Sequence, residues 1–399
     1  MKLSRRVREL SPSATLQAKS DAERLRREGV EVVDFGPGEP DFDTPDPIKN
    51  AAKLALDQNF THYTETAGIP ELRAAIAERY RTDHGTDYTE DEVFTGCGAK
   101  NILFLLAQAV LDPGDRVGIF APYWVSFPDQ VRLAGAEPVI LPTREEDRFI
   151  PRAEILKKAL ESSRLQAVIL NSPCNPTGAV MPADELSRFA ALAKEHDLLL
   201  VSDETYEFFF YGDGTFPSLA PLGGGIRDHL LVVGSFSKSY AMTGWRVGFA
   251  LGPRPLIAAL TKIQSHDATH TASFAMKGAL AALRAPRSVL DRMREEYRRR
   301  RDRIVSALNR VEGIHCQVPD GAFYVFPNVS GLMQRLGCAT SADLARGLLL
   351  NQGIATVAGS AFGGEGYLRL SYALSLERID EGMGRLARCR SLKPEGAEA

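Results

Sequence analysis

The chain has 399 residues, 44% hydrophobic and 25% charged, which is enough for a sizeable core and for two domains folded against each other. A net charge of −3 leaves no global positive field for nucleic acid or an anionic membrane, and no apolar run approaches the roughly 20 residues of a membrane span. The N-terminus is basic without the apolar stretch of a secretion signal, and five scattered cysteines (Cys97, Cys174, Cys316, Cys338, Cys389) form no CxxC pair, so the expectation is a cytoplasmic globular protein with cysteines used for packing.

In chain order, Gly96-Cys-Gly98-Ala-Lys-Asn101 opens an apolar stretch with helical spacing over Ala99–Leu111. Free backbone N–H groups at such a helix start make an anion site. The third glycine of the dinucleotide fingerprint and its following acidic residue are missing, which argues against NAD. Asp112-Pro113-Gly114-Asp115 stops the helix. Beyond it, apolar β-rich runs predict strands at Arg116–Phe120, Glu137–Leu141, Gln166–Leu170, Leu198–Ser202, Leu230–Gly234 and Arg246–Leu251, alternating with amphipathic stretches such as Ala183–His196. This alternation predicts an α/β domain with a mostly parallel central sheet flanked by helices. After about residue 285 the texture changes to the charged run 291–303, whose apolar positions Met293, Tyr297 and Ile304 mark a helix with a solvated face rather than a nucleic-acid arm. The expected division is an N-terminal arm with part of a small domain (1–45), a large domain (46–285) and a smaller α+β domain (286–399). The tail, 392–399, is expected to fray.

Three predicted strands end in polar residues. Gln166–Leu170 runs into Asn171-Ser-Pro-Cys-Asn175-Pro-Thr-Gly178, Leu198–Ser202 ends at Asp203, and Leu230–Gly234 ends at Ser235-Phe-Ser-Lys238. Open α/β sheets bind ligands at strand carboxyl ends, so these groups are expected to converge. Lys238 would be a nucleophilic amine, with Ser235, Ser237 and Arg246 placed to hold a phosphate. An activated lysine beside a phosphate cradle suggests pyridoxal 5′-phosphate. Asp203 suits the carboxylate that keeps the cofactor's pyridine nitrogen protonated, or it caps the segment that follows. Tyr206, three residues on, and Asn175 could reach the phenolic oxygen, although Asn175 could equally shape an Asx turn. Trp124 could stack on the ring or belong to a core. Arg369, alternating with Leu368 and Leu370, could receive a substrate carboxylate or sit exposed on an edge strand.

These segments resemble the fold-type I, class I aminotransferases, most closely the bacterial aspartate aminotransferase subgroup. The resemblance runs over nearly the whole chain: Ser13-Ala-Thr15, Gly38-Glu-Pro-Asp-Phe-Asp-Thr-Pro45, Tyr63, Ala67-Gly-Ile-Pro-Glu-Leu72, Pro122-Tyr-Trp124, Asn171–Gly178, Ser202–Tyr206, Ser235–Gly248, Gly321-Ala-Phe-Tyr324 and Leu368-Arg369-Leu-Ser-Tyr372. It implies a pyridoxal-phosphate enzyme that moves amino groups between amino acids and 2-oxo acids, with Lys238 bonding the cofactor and shuttling the proton. Asp203 would meet the pyridine nitrogen, and Asn175 and Tyr206 the phenolic oxygen. Gly98, Ala99, Lys100, Ser235 and Arg246 would surround the phosphate, joined by Tyr63 from a second subunit of a homodimer. Arg369 and Gly38 would take the substrate α-carboxylate, Trp124 and Asn175 would also meet the substrate, and Lys100 and Thr15 would bind a distal carboxylate, favouring aspartate, glutamate or a prephenate-like acid. One segment departs from the pattern: Ser265-His-Asp-Ala-Thr-His-Thr271 carries Asp267, which would repel a dicarboxylate unless His266 or His270 faces it. A lyase or decarboxylase on the same fold would share every cofactor residue. A cofactor-sensing transcription regulator would need a DNA-binding domain ahead of the resemblance, which begins near residue 4.

Overall fold

The structure is a computed structural model that describes residues 1–10 and 14–392; Ser13 and the tail from residue 393 lie outside the described residues, as does the side chain of Thr15. Its centre is a seven-stranded sheet formed by β1 (Val93–Gly96), β2 (Arg116–Ala121), β3 (Glu137–Pro142), β4 (Ala167–Asn171), β5 (Leu199–Asp203), β6 (Leu230–Ser235) and β7 (Gly248–Leu251). The spatial order is β1-β7-β6-β5-β4-β2-β3. The pairings from β3 through β2, β4 and β5 to β6 are parallel, while β7 runs antiparallel to both β6 and β1. Every residue of β6 is buried, as expected for a parallel strand covered by helices on both faces, and this is why such strands read as unbroken apolar runs.

The expected strands are present to within a residue or two, with one correction. Arg246 and Val247 precede the last strand instead of opening it. Arg246 ends the tight turn Thr243–Trp245 in a left-handed conformation (φ 56°), and its guanidinium reaches the Thr243 and Cys97 carbonyls. β1 had no sequence expectation: at four residues, all buried, it is too short to show a period.

The helix after β1 spans Ala99–Val110, and Ala183–Glu195 covers the sheet farther along. The charged run lies inside a 21-residue helix, Ser288–Leu308, with Met293, Tyr297 and Ile304 buried as the pattern requires. Its charged face is not wholly solvated: Arg300 is buried and bonds both Asp41 oxygens at 2.8 Å as well as Glu296 at 2.9 Å. Beyond it, a small sheet places Leu368–Ser371 between Val357–Ala358 and Tyr324–Val325, both antiparallel to it. Arg369 is therefore on a middle strand, not an edge. Among the described residues no helix is long and apolar enough to cross a membrane.

Candidate active site

Sheet register brings the three polar strand ends together. Asn171 pairs with Asp203, and Asp203 with Val233, two residues before Ser235 on the adjoining strand. One helical turn, Phe236–Ser239, follows β6; the Ser235 hydroxyl caps it by accepting the Ser237 N–H at 3.1 Å, and the turn swings Lys238 back over the strand ends. A cavity of about 260 Å³ opens there, lined by Lys238, Asp203, Tyr206, Asn175, Trp124 and Arg369, together with Gly38, Ala99, Lys100, Ser235 and Arg246. The expected residues among those described thus converge on one site, apart from Gly98, which lies just behind Arg246, and Tyr63; the Thr15 side chain lies outside the described residues.

Each wall has a distinct electrostatic character. The Lys238 ammonium donates to the Gly38 carbonyl at 2.6 Å. Burial pulls its pKa down to about 8; Glu39 opposes that shift, while Arg246, Arg369 and Lys100 add to it. Asp203 is buried and accepts the Thr205 N–H at 3.1 Å, and burial raises its carboxyl to about 6. Among the described residues it forms no ion pair, so a cationic ring nitrogen would fill an electrostatic need already present.

The phosphate-sized side of the cavity is built from backbone. Gly98 sits at the N-cap of the 99–110 helix with φ 85° and no side-chain cap; the Asn101 N–H turns back to the Gly98 carbonyl at 3.1 Å, which leaves the Ala99 and Lys100 N–H groups for an anion. A Cβ on Gly98 would come within 2.6 Å of Arg246 Nη2, so only glycine lets the guanidinium close over this turn. Among the described residues Arg246 is anchored through carbonyls, donating to Thr243 at 2.8 Å and Cys97 at 3.2 Å, and keeps its full charge for an incoming anion. Lys100 stands 4.9 Å from the Trp124 ring centre. Burial lowers its pKa, Arg246 lowers it further, and among the described residues it has no carboxylate partner.

Arg369 is 2% exposed, donates to Asn175 Oδ1 at 3.1 Å and to the Gly36 carbonyl, and leaves Nε without a partner. A guanidinium buried among neutral groups is held at a cost that only an anion relieves. The bond to Arg369 is the part of Asn175 that the sequence did not indicate: its oxygen orients the guanidinium, and its N–H₂ is the group left for a cofactor oxygen. The donor set, two buried cations, a lone carboxylate and an open helix N-terminus, matches a molecule carrying a phosphate, a protonated ring nitrogen and a carbonyl.

The chain matches the model of aminotransferase class I and II over residues 30–386. It is 43% identical to the probable aspartate/prephenate aminotransferase of Aquifex aeolicus, covering 96% of this chain and 97% of that one. It is 39% identical to the aspartate aminotransferase of Bacillus subtilis, covering 97% and 98%. Among solved structures it superposes on the aspartate aminotransferase of Thermus thermophilus with maleate at a TM-score of 0.92, with 42% identity and 97% and 99% of the two chains covered. The chain belongs to the class I and II aminotransferases. It has the fold-type I architecture, and its cofactor is pyridoxal 5′-phosphate.

Several residues of this aminotransferase's cavity carried no sequence expectation. Asn171 accepts the Asn175 N–H at 2.8 Å and donates to the Asp203 carbonyl at 3.1 Å, tying two strand ends together. Tyr324 lines the cavity beside Tyr206, and its place in Gly321-Ala-Phe-Tyr324 was the only signal for it. Tyr63 is 86% exposed and packs edge-on against His270, with ring centres 5.6 Å apart, instead of lining its own chain's cavity. Asp267 does not line the cavity either: Asn101 Nδ2 donates to it at 3.3 Å, while His270 accepts the Thr64 N–H. The expected clash between Asp267 and a dicarboxylate therefore has no geometric basis within the chain.

Proposed function

We propose that this aminotransferase takes its amino group from a dicarboxylic amino acid, aspartate or glutamate, and passes it to a 2-oxo acid in two half-reactions at the Lys238 cavity. The observation that carries this reading is the buried Arg369, which among the described residues has no carboxylate partner, supported by a second cation, Lys100, likewise without one, on the same walls. An α-carboxylate at Arg369 and a distal carboxylate at Lys100 would satisfy both. The Thermus relative was solved with maleate, itself a dicarboxylate, which supports the same assignment.

When bound, pyridoxal phosphate supplies an electron sink for the pair left by loss of the substrate's Cα proton. In this reading the protein does the rest. Arg246, Ser235 and the N–H groups after Gly98 hold the phosphate, and Asp203 keeps the proton on the ring nitrogen. Asn175 and Tyr206 donate to the phenolic oxygen while Trp124 covers the ring face. Lys238 Nζ anchors the cofactor, then receives and returns the proton that moves during transfer. Arg369, steered by Asn175, orients the substrate so that its Cα–H faces that amine.

Tyr63 enters through assembly. A homodimer that brings Tyr63 to the partner's phosphate would explain why so large a side chain stands exposed. Residues 46–285 are taken as the cofactor domain, since the seven-stranded sheet lies wholly within 93–251, and 286–399 with part of 1–45 as the smaller domain. One specific observation favours a bulkier acid as a further substrate. An outer cavity of about 680 Å³ shares Lys100 and Arg246 with the inner one, and relatives bear the name aspartate/prephenate aminotransferase.

Screening amino donors against the loaded enzyme tests the reading. Aspartate or glutamate is expected to bleach the absorbance of the lysine-bound cofactor, and conversion by aromatic or basic donors alone would overturn the dicarboxylate assignment. Arg369→Leu is expected to lower kcat/KM for both donors by roughly 10²–10³-fold, the loss typical of removing one partner of a buried charged pair. Steady-state kinetics that leave the variant within a factor of three would clear Arg369 of the role.

A further inference from the structure

The Tyr206 and Tyr324 hydroxyls lie 2.8 Å apart, both side chains are buried, and neither hydroxyl has another hydrogen-bond partner among the described residues. Two hydroxyls share two protons, and their mutual bond uses one. The second must point somewhere, and both side chains line the cavity. We infer that Tyr324 is a positioning residue: its hydroxyl donates to Tyr206, so that the spare proton is the one on Tyr206, aimed into the cofactor cavity.

The small sheet sets this polarity. Tyr324 pairs with Ser371 across the strands, and Arg369 lies two residues from Ser371 on the same face, so Arg369 and Tyr324 are diagonal neighbours. The guanidinium carbon stands 4.6 Å from the centre of the Tyr324 ring. A cation over the ring face draws electron density from the phenol and makes its O–H the stronger donor of the pair. Gly38 makes room for this phenol: a Cβ there would come 2.7 Å from its hydroxyl oxygen. The charged groups facing the pair are Arg369, Asp203 and Glu39. Donation from Tyr324 also polarises Tyr206 and strengthens its own donation. The residue that binds the substrate carboxylate is thus linked, through one ring and one hydroxyl, to the group proposed to meet the cofactor's phenolic oxygen.

This inference rests on the assignment of Tyr206 to that oxygen, and the experiment separates the two. The readout is the pH midpoint of the absorbance change of the lysine-bound cofactor, with melting temperature as a check on folding. Losing a donor leaves the oxygen more basic, so Tyr206→Phe should raise the midpoint by about one unit or more. Tyr324→Phe should raise it by about 0.3 unit, in line with the modest cooperativity of linked hydrogen bonds. The double variant should match Tyr206→Phe alone, because the second effect acts through the first. Placing 3-fluorotyrosine at 324, a stronger donor of nearly the same shape, should move the midpoint down, and this variant decides the matter if Tyr324→Phe folds poorly. An unmoved Tyr206→Phe overturns the Tyr206 assignment and this inference with it. A shifted Tyr206→Phe with an unmoved Tyr324→Phe, or fully additive shifts in the double variant, overturns the role of Tyr324 alone.

Discussion

Lys238→Ala is expected to bind pyridoxal phosphate without the absorbance of a lysine-linked cofactor and to transfer amino groups about 10⁴-fold more slowly, the upper end of what a positioned acid–base group contributes. Nζ sits at the end of a four-residue helical turn, bonded to the Gly38 carbonyl, in surroundings that hold its pKa at about 8. At pH 7.5 about a quarter of such amines are neutral, against roughly one in a thousand for an ordinary lysine near 10.4. The neutral amine is both the nucleophile and the base, so capture of free pyridoxal phosphate by the apoenzyme should accelerate as pH rises through 8 and level off above it. Stopped-flow absorbance measures this capture, and single-turnover kinetics measure the variant's transfer rate. A rise centred near 10, or a variant within tenfold of the parent, would remove Lys238 from the chemistry.

The parts of this site that could be read from sequence share a property: each follows from a local pattern. Apolar runs that end in Asn171, Asp203 and Ser235 locate the carboxyl edge of the sheet, because a strand covered on both faces has no polar residue until it emerges. The glycine at 98 and the apolar helix after it locate the anion turn for a similar reason. What escaped was set by register and by partners distant in sequence. Nothing near Asn175 indicates that its oxygen is taken by Arg369, 194 positions away, and nothing near Tyr324 indicates that its hydroxyl meets Tyr206. Arg246 shows the limit from the other side. Its run continues into a genuine strand, yet the residue itself adopts a left-handed turn so that its side chain can reach the Cys97 carbonyl. The buried Arg300 was missed because a helix face counted from charge alone does not reveal that Asp41, from the N-terminal segment, lies against it.

Asp203→Asn should slow amino transfer by roughly 10²–10⁴-fold while making the cofactor-free protein more stable, and the two effects have one cause. The carboxyl is buried and forms no ion pair among the described residues, and burial raises its pKa to about 6 against about 3.9 in an unfolded chain, Lys238 opposing the shift only in part. A carboxyl raised on folding contributes its full stability below about pH 4 and loses it as pH climbs through 6. At pH 8 the buried charge therefore costs the apoenzyme about 3 kcal/mol. Asparagine keeps an oxygen to accept the Thr205 N–H and carries no charge, so apo Asp203→Asn should melt a few degrees above the parent at pH 8, with the gap closing toward pH 4. With pyridoxal phosphate bound the order should reverse: the carboxylate then faces a protonated ring nitrogen, and removing it forfeits about 3–5 kcal/mol of buried pairing. Melting curves of apo and loaded protein at both pH values, together with kcat, test the whole account. If the asparagine variant is less stable than the parent even without cofactor at pH 8, Asp203 is a structural residue and not a carboxylate held in strain for its partner.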